Sequence, residues 1–112
     1  MHEYSIVQAL VDRIEEEARA HGARSVERVV LRIGDLSGVE VELLQTAYLT
    51  FRERTVCEHA PLEIACVPPV WSCRRCGRRV WEDGPLRCEC GGTPELRQGD
   101  EIVLDKLEME VA

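Results

Sequence analysis

No stretch of this chain approaches the roughly 20 consecutive apolar residues that a membrane span requires. Its opening, Met1-His2-Glu3-Tyr4-Ser5, has neither the basic head nor the long apolar stretch of a secretory signal. No membrane association and a cytoplasmic location are therefore expected. A basic excess is missing as well: 21 Asp and Glu stand against 14 Lys and Arg, a net charge of −7. That balance argues against nucleic acid as the main partner, because neutralising phosphates takes a basic surface. The chain has no glycine-rich phosphate loop, no supported Ser/His/Asp or Cys/His set, and no His-x-Glu followed by Pro-Cys-x-x-Cys. An enzyme is not expected. Internal repeats, low-complexity tracts and flexible linkers are absent too.

What stands out instead is cysteine spacing. Cys73-Arg74-Arg75-Cys76 is followed after eleven residues by Cys88-Glu89-Cys90, and Gly77 and Gly91 come directly after each pair. Tetrahedral zinc takes four soft ligands at about 2.3 Å, and two short pairs brought together by a hairpin supply them. Glycine after each pair lets the backbone turn under the metal without a Cβ clash. Four protein ligands leave no open coordination position, so such a zinc is structural. Arg74, Arg75, Arg78, Arg79 and Arg87 surround the cysteines. They read first as an offset to the negative charge of a tetrathiolate zinc, and second as a basic docking patch. The remaining cysteines read differently: Cys66 as a core thiol beside Leu62 and Ile64, and Cys57 as a loop residue paired with His59 by chance.

The 112 residues, 45% of them apolar, suffice for one modest core and a metal-stapled appendage. Apolar spacing predicts a helix over 5–21, with Val7, Leu10, Val11, Ile14 and Ala18 inward, Glu15, Glu16 and Glu17 solvated, and Gly22 as its stop. His21 suits the C-terminal end of that helix through its dipole. Period-two alternation predicts a strand over 26–33, with Val29, Leu31 and Ile33 on one face. Ser37 and Glu40 fit a capping box that opens a second helix ending near Arg54, with Leu43, Leu44, Ala47, Tyr48 and Phe51 inward. A second strand carries Leu62, Ile64 and Cys66, bounded by Pro61 and Pro68-Pro69. In the last strand Ile102 and Leu104 have one parity and Leu107, Met109 and Val111 the other, which predicts a bulge near Asp105-Lys106. The expected fold is α+β: two helices on a three-stranded mixed sheet, with a zinc-ribbon-like hairpin module inserted. The division is 1–70 with 98–112 as one discontinuous domain and 71–97 as the four-cysteine module, whose large apolar side chains are Trp71 and Trp81 and which needs its metal to fold. The stiff Pro68-Pro69 exit implies restricted motion between the two.

The start of the chain offers a second metal chemistry. The α-amine, the His2 backbone nitrogen and His2 Nδ1 close a five- and a six-membered chelate ring. Such a nitrogen set suits a tetragonal ion, Ni(II) or Cu(II), with a further donor from Glu3 or another side chain. As an isolated dipeptide, His2 reads first as an exposed terminal residue and only second as a ligand.

Met1-His2-Glu3-Tyr4-Ser5, Ile33-Gly34-Asp35-Leu36-Ser37-Gly38-Val39-Glu40, the paired cysteines, and Gly99-Asp100-Glu101 leading to Leu107-Glu108-Met109-Glu110 together resemble the HypA/HybF hydrogenase nickel-incorporation family. The resemblance covers essentially the whole chain. It implies a nickel metallochaperone that delivers Ni(II) as cargo to the large subunit of [NiFe] hydrogenase, working with a nickel-handling GTPase accessory protein and leaving homodimer formation open. It also implies that Met1, His2 and Glu3 hold nickel and that Cys73, Cys76, Cys88 and Cys90 hold structural zinc. One departure is visible: the family often spaces its second cysteine pair by two residues, and here one residue separates Cys88 from Cys90. The competing reading is a zinc-ribbon adaptor that docks a protein or nucleic acid through its arginine-rich hairpin.

Overall fold

The computed structural model describes residues 2–111. Its first unit is built from α1 (Glu3–Ala20), β1 (Ala23–Gly34), α2 (Val41–Phe51), β2 (Leu62–Val67) and β6 (Ile102–Val111). The strands form a mixed sheet in the order β2-β1-β6, with β2 parallel and β6 antiparallel to β1. Between β2 and β6 the chain forms β3 (Val70–Cys73), β4 (Arg79–Val80) and β5 (Pro94–Gln98), a second antiparallel sheet in the order β4-β3-β5. Two helices on a three-stranded mixed sheet, with a cysteine module inserted, is the α+β fold expected from the sequence.

The core of the first unit follows from two periodicities. Val7, Leu10, Val11, Ile14 and Ala18 line the inner stripe of α1. They meet Val26, Val29, Leu31 and Ile33 of β1 and Leu44, Ala47 and Tyr48 of α2. Val26 and Val29 are three residues apart and still share a face, because a register shift leaves Glu27 as an extra residue. The parity break in β6 has the same cause. Val30 pairs with Lys106 and Leu31 with Leu104, so Asp105 bulges out and Leu104, Leu107 and Met109 all reach the core.

Several details depart from the sequence reading. α1 starts at Glu3, and Glu15 bends back so that its carboxylate accepts the Val56 N–H at 2.8 Å. The Ser37/Glu40 capping box does not form: Ser37 Oγ accepts only a 3.4 Å bond from the Val39 N–H, and Glu40 is itself the N-cap. α2 ends at Phe51, and Arg54 adopts a positive φ of 63° beyond it. Leu43 is exposed. The two spare cysteines exchange roles. Cys57 is fully buried because the loop after α2 folds inward, where Tyr48 Oη donates to the Ala60 carbonyl at 2.9 Å. Cys66 is exposed: β2 is an edge strand, and the core takes in its Leu62 and Ile64 but not its last cysteine.

The place where the chain leaves the first unit and re-enters it is held by backbone. Gly34 donates to the Glu101 carbonyl at 2.8 Å, Asp35 to Val67 at 2.8 Å and Leu36 to Gly99 at 2.7 Å. A Cβ on Gly34 would lie 2.1 Å from the Gly99 carbonyl carbon, and one on Gly99 would lie 2.5 Å from Pro69 Cα. Only glycine permits this approach.

Candidate metal centre

The inserted sheet brings the two cysteine pairs face to face. The Sγ atoms of Cys73, Cys76, Cys88 and Cys90 all lie within 4.8 Å of one another. Cys73 ends β3, and Gly77 donates to its carbonyl at 2.9 Å, which closes the first knuckle; Gly91 donates to the Cys88 carbonyl at 3.0 Å and closes the second. Both glycines have positive φ, 79° and 85°, the backbone turn that their places after each pair anticipate. Gly92 is needed for space: a Cβ there would come within 2.4 Å of Cys73 Sγ.

The donors around the sulfurs are unequal. Cys73 Sγ accepts the N–H groups of Arg75 at 3.3 Å and Cys76 at 3.5 Å, whereas in the shorter second pair only Cys90 receives one, from Gly92 at 3.4 Å. These bonds favour thiolate, and the thiol of Cys73 is held below its ordinary range by the Cys76 and Arg75 N–H groups. The side chain and backbone of Arg78 pull Cys76 down to about 6. At Cys90 the Gly92 N–H lowers the pKa, but the neighbouring Cys73 and Cys88 sulfurs outweigh it and hold it up at about 11. Four soft donors crowded together, two of them held toward thiolate by N–H groups and Arg78, fit a divalent ion that supplies the balancing positive charge.

The arginines divide by role. Arg78 faces Cys76, Cys88 and Glu89; Arg75 donates to the Cys90 carbonyl at 3.2 Å; Arg74 and Arg97 reach Glu95 at 3.1 and 3.4 Å. The charge-offset reading holds for Arg78 and does not extend to all five. His59, the sequence partner offered for Cys57, points to solvent.

At the other end of the chain, Met1 lies outside the described residues. His2 is exposed and forms the N-cap of α1, its carbonyl accepting the Ile6 N–H at 2.9 Å. Glu3 is 2% exposed, and its Oε2 accepts the Glu40 N–H at 3.0 Å. This bond ties the head of α1 to the head of α2 and accounts for the missing capping box. His21 caps the far end of α1, its Nδ1 donating to the Glu17 carbonyl at 2.9 Å.

A small helix-and-sheet unit carrying a four-cysteine metal-binding module, with no helix long and apolar enough to cross a membrane, defines a metal-handling protein. Comparison with known proteins makes the class specific. The chain belongs to the HypA family, described as hydrogenase/urease nickel incorporation metallochaperones, which matches residues 1–109. It is 40% identical to the hydrogenase maturation factor HypA of Shewanella halifaxensis, covering all of both chains. Against the factor of the same name from Aquifex aeolicus it is 43% identical over 99% of each. Among solved structures it resembles the Ni metallochaperone HypA from Helicobacter pylori, with a TM-score of 0.77 and 35% identity over all of both chains. A second HypA solution structure gives a TM-score of 0.82 and 34% identity, over 100% of this chain and 98% of that one. The family is one of metallochaperones for hydrogenase maturation, and catalysis is not its role.

Proposed function

We propose that this chain carries Ni(II) as cargo to the large subunit of [NiFe] hydrogenase in the cytoplasm, in company with a nickel-handling GTPase. The observation that carries this reading is the family match over residues 1–109 together with the exposed His2 at the head of α1. In this reading 1–70 with 98–112 is the nickel unit. The Met1 amine, the His2 backbone nitrogen and His2 Nδ1 hold the ion, and Glu3 orients the segment through its bond to Glu40. The first N–H groups of a helix have no intrahelical acceptor, so a metal that displaces the His2 amide proton breaks no helical bond. The positive end of the α1 dipole opposes a bare cation but favours the amide anion that such a chelate creates. Residues 71–97 form the zinc module, where Cys73, Cys76, Cys88 and Cys90 bind zinc, which supplies a structural cross-link when bound. A cytoplasmic location agrees with thiols kept reduced for metal.

His2→Ala is expected to abolish nickel binding and hydrogenase maturation while zinc content and the amide spectrum stay unchanged. Two residues added ahead of Met1 should act alike by burying the amine in a peptide bond. A His2→Ala protein that takes up nickel with unaltered stoichiometry and affinity would overturn the assignment.

A further inference from the structure

Two arginines of the module are left over once the metal centre and the internal pairs are counted. Arg74, Arg75, Arg78 and Arg97 each have a partner within the module. Among the described residues, Arg79 and Arg87 have no carboxylate partner. Arg79 instead lies over Trp81, its guanidinium carbon 3.8 Å from the ring centroid.

Trp81 is the anomaly of the fold. The other tryptophan, Trp71, packs on the Cys73, Val80 and Cys88 cluster and donates from its ring nitrogen to Glu82. Trp81 is 60% exposed, and Leu86 nearby in the chain is 40% exposed. Arg79, Trp81, Asp83, Pro85 and Arg87 line one cavity of about 360 Å³. The stacked guanidinium restrains the ring, and a partner that binds a restrained side chain loses less entropy in doing so. Tryptophan and arginine are also the side chains that most often dominate binding energy at protein interfaces.

Charge narrows the occupant. Residues 71–97 hold six arginines against four acids, a surplus that a tetrathiolate zinc of charge −2 brings to neutrality, whereas the rest of the chain holds 17 acids against eight Lys and Arg. A basic partner is drawn to the body, and an acidic one is turned away from it toward the module. The cavity is lined as well by Arg78, Cys88 and Glu89; Arg78 faces Cys88 and Glu89, which leaves Arg79 and Arg87 against Asp83.

We propose that the Arg79, Trp81 and Arg87 face docks an acidic polypeptide segment of a partner protein, an apolar side chain covering Trp81 and carboxylates meeting the two arginines. This surface adjoins the metal centre at Cys88 but calls on none of the four sulfurs for binding, and it stands whether or not nickel is the cargo.

The test uses the full-length, zinc-loaded protein and a fluorescein-labelled peptide, acetyl-Asp-Glu-Leu-Asp-Phe-Glu-Asp-Glu-amide, read by fluorescence anisotropy. Its counterpart with Asn and Gln at every acid reports the carboxylates. The acidic peptide is expected to bind in the micromolar range, with the counterpart about tenfold weaker. Changing Arg79→Gln and Arg87→Gln together should weaken the acidic peptide about tenfold with zinc content unchanged, whereas Asp83→Asn should tighten it about twofold. Arg74→Gln removes the same charge from an arginine already paired with Glu95 and should leave affinity within about twofold. Equal binding of the two peptides, full affinity in the double variant, or no binding at about millimolar concentration each overturn the proposal. Tighter binding of a DNA duplex that depends on the same two arginines overturns it as well, because the site would then read phosphate.

Discussion

The two halves of this molecule solve the same problem with different means. In the helix-and-sheet unit, thirteen buried residues, from Val7 of α1 to Ala60 of the inward loop, form one apolar cluster. In the module the corresponding cluster is Cys73, Val80 and Cys88, flanked by Trp71 and Cys90, and three of those five are cysteines. A chain of that size cannot bury enough apolar surface to offset its conformational entropy. The difference teaches where each half is vulnerable: one depends on packing, which no single side chain dominates, and the other on four sulfurs acting together.

The strongest way to test that contrast is Cys76→Ala. Structural zinc supplies apparent folding energies of about 10–16 kcal/mol in small domains, so loss of one ligand should unfold the module outright. The expected result is zinc loss and collapse of the amide signals of 71–97, with the helical circular dichroism of the body retained. A zinc-depleted protein with an ordered module would erase the contrast.

A mid-sized effect separates the halves by pH. Burial, above all, pushes the Cys57 thiol up to about 11 from an ordinary 9.0. Below the unfolded value both states keep the proton and the stability is fully present. As pH rises the unfolded chain ionises first, so the body loses up to about 2–3 kcal/mol between roughly pH 9 and 11. Burial raises Tyr48 as well, which adds to the alkaline loss. Acid acts on the other half, where protons compete with metal for the sulfurs. Urea melts followed by helical signal should show the alkaline slope in the native protein and a flatter one in Cys57→Ala.

The smallest effect concerns the head of α2. A working N-cap is worth about 1 kcal/mol. Because Ser37 Oγ makes only one long bond, Ser37→Ala should change the melting midpoint of the body by less than about 0.5 kcal/mol equivalent. A loss of the full cap energy would mean that the capping box forms in solution.

What could be read from the sequence depended on how local the cause was. The β6 bulge was legible because Leu104 and Leu107 have opposite parity, and a strand with one buried face must correct that. The four-cysteine cluster was legible because ligand spacing is itself a local geometry. The capping box was misread because the group that competes for the Glu40 N–H is the Glu3 carboxylate, 37 positions away in the chain. Cys57 and Cys66 were interchanged for a similar reason. Alternation correctly aligned Cys66 with Leu62 and Ile64, but it carries no information about how far the core extends along an edge strand. For Cys57 a usable signal was present, since cysteine is among the residue types most often buried and Val56 and Ala60 flank it. The five arginines around the cysteines could not be sorted from spacing at all, because Glu95, which binds Arg74, follows the second cysteine pair.

The module leaves the body after β2 and returns at Gly99 into β6, and these two strands flank β1 on either side. Those two strands lie about 10 Å apart, two strand spacings, and the chain ends they feed into the module are brought together where Gly99 packs on Pro69, with no metal ligand involved. Loss of the metal therefore yields a closed loop and not a dangling tail, and the entropy gained on opening grows only with the logarithm of loop length. The sulfurs stay confined to a small volume and meet again without a search. The same pinning makes the cysteine segment severable: a protease cut near Gly84 would leave two fragments still joined by the β1 and β6 ladder, so the molecule would tolerate a nick at the exposed tip and remain one particle.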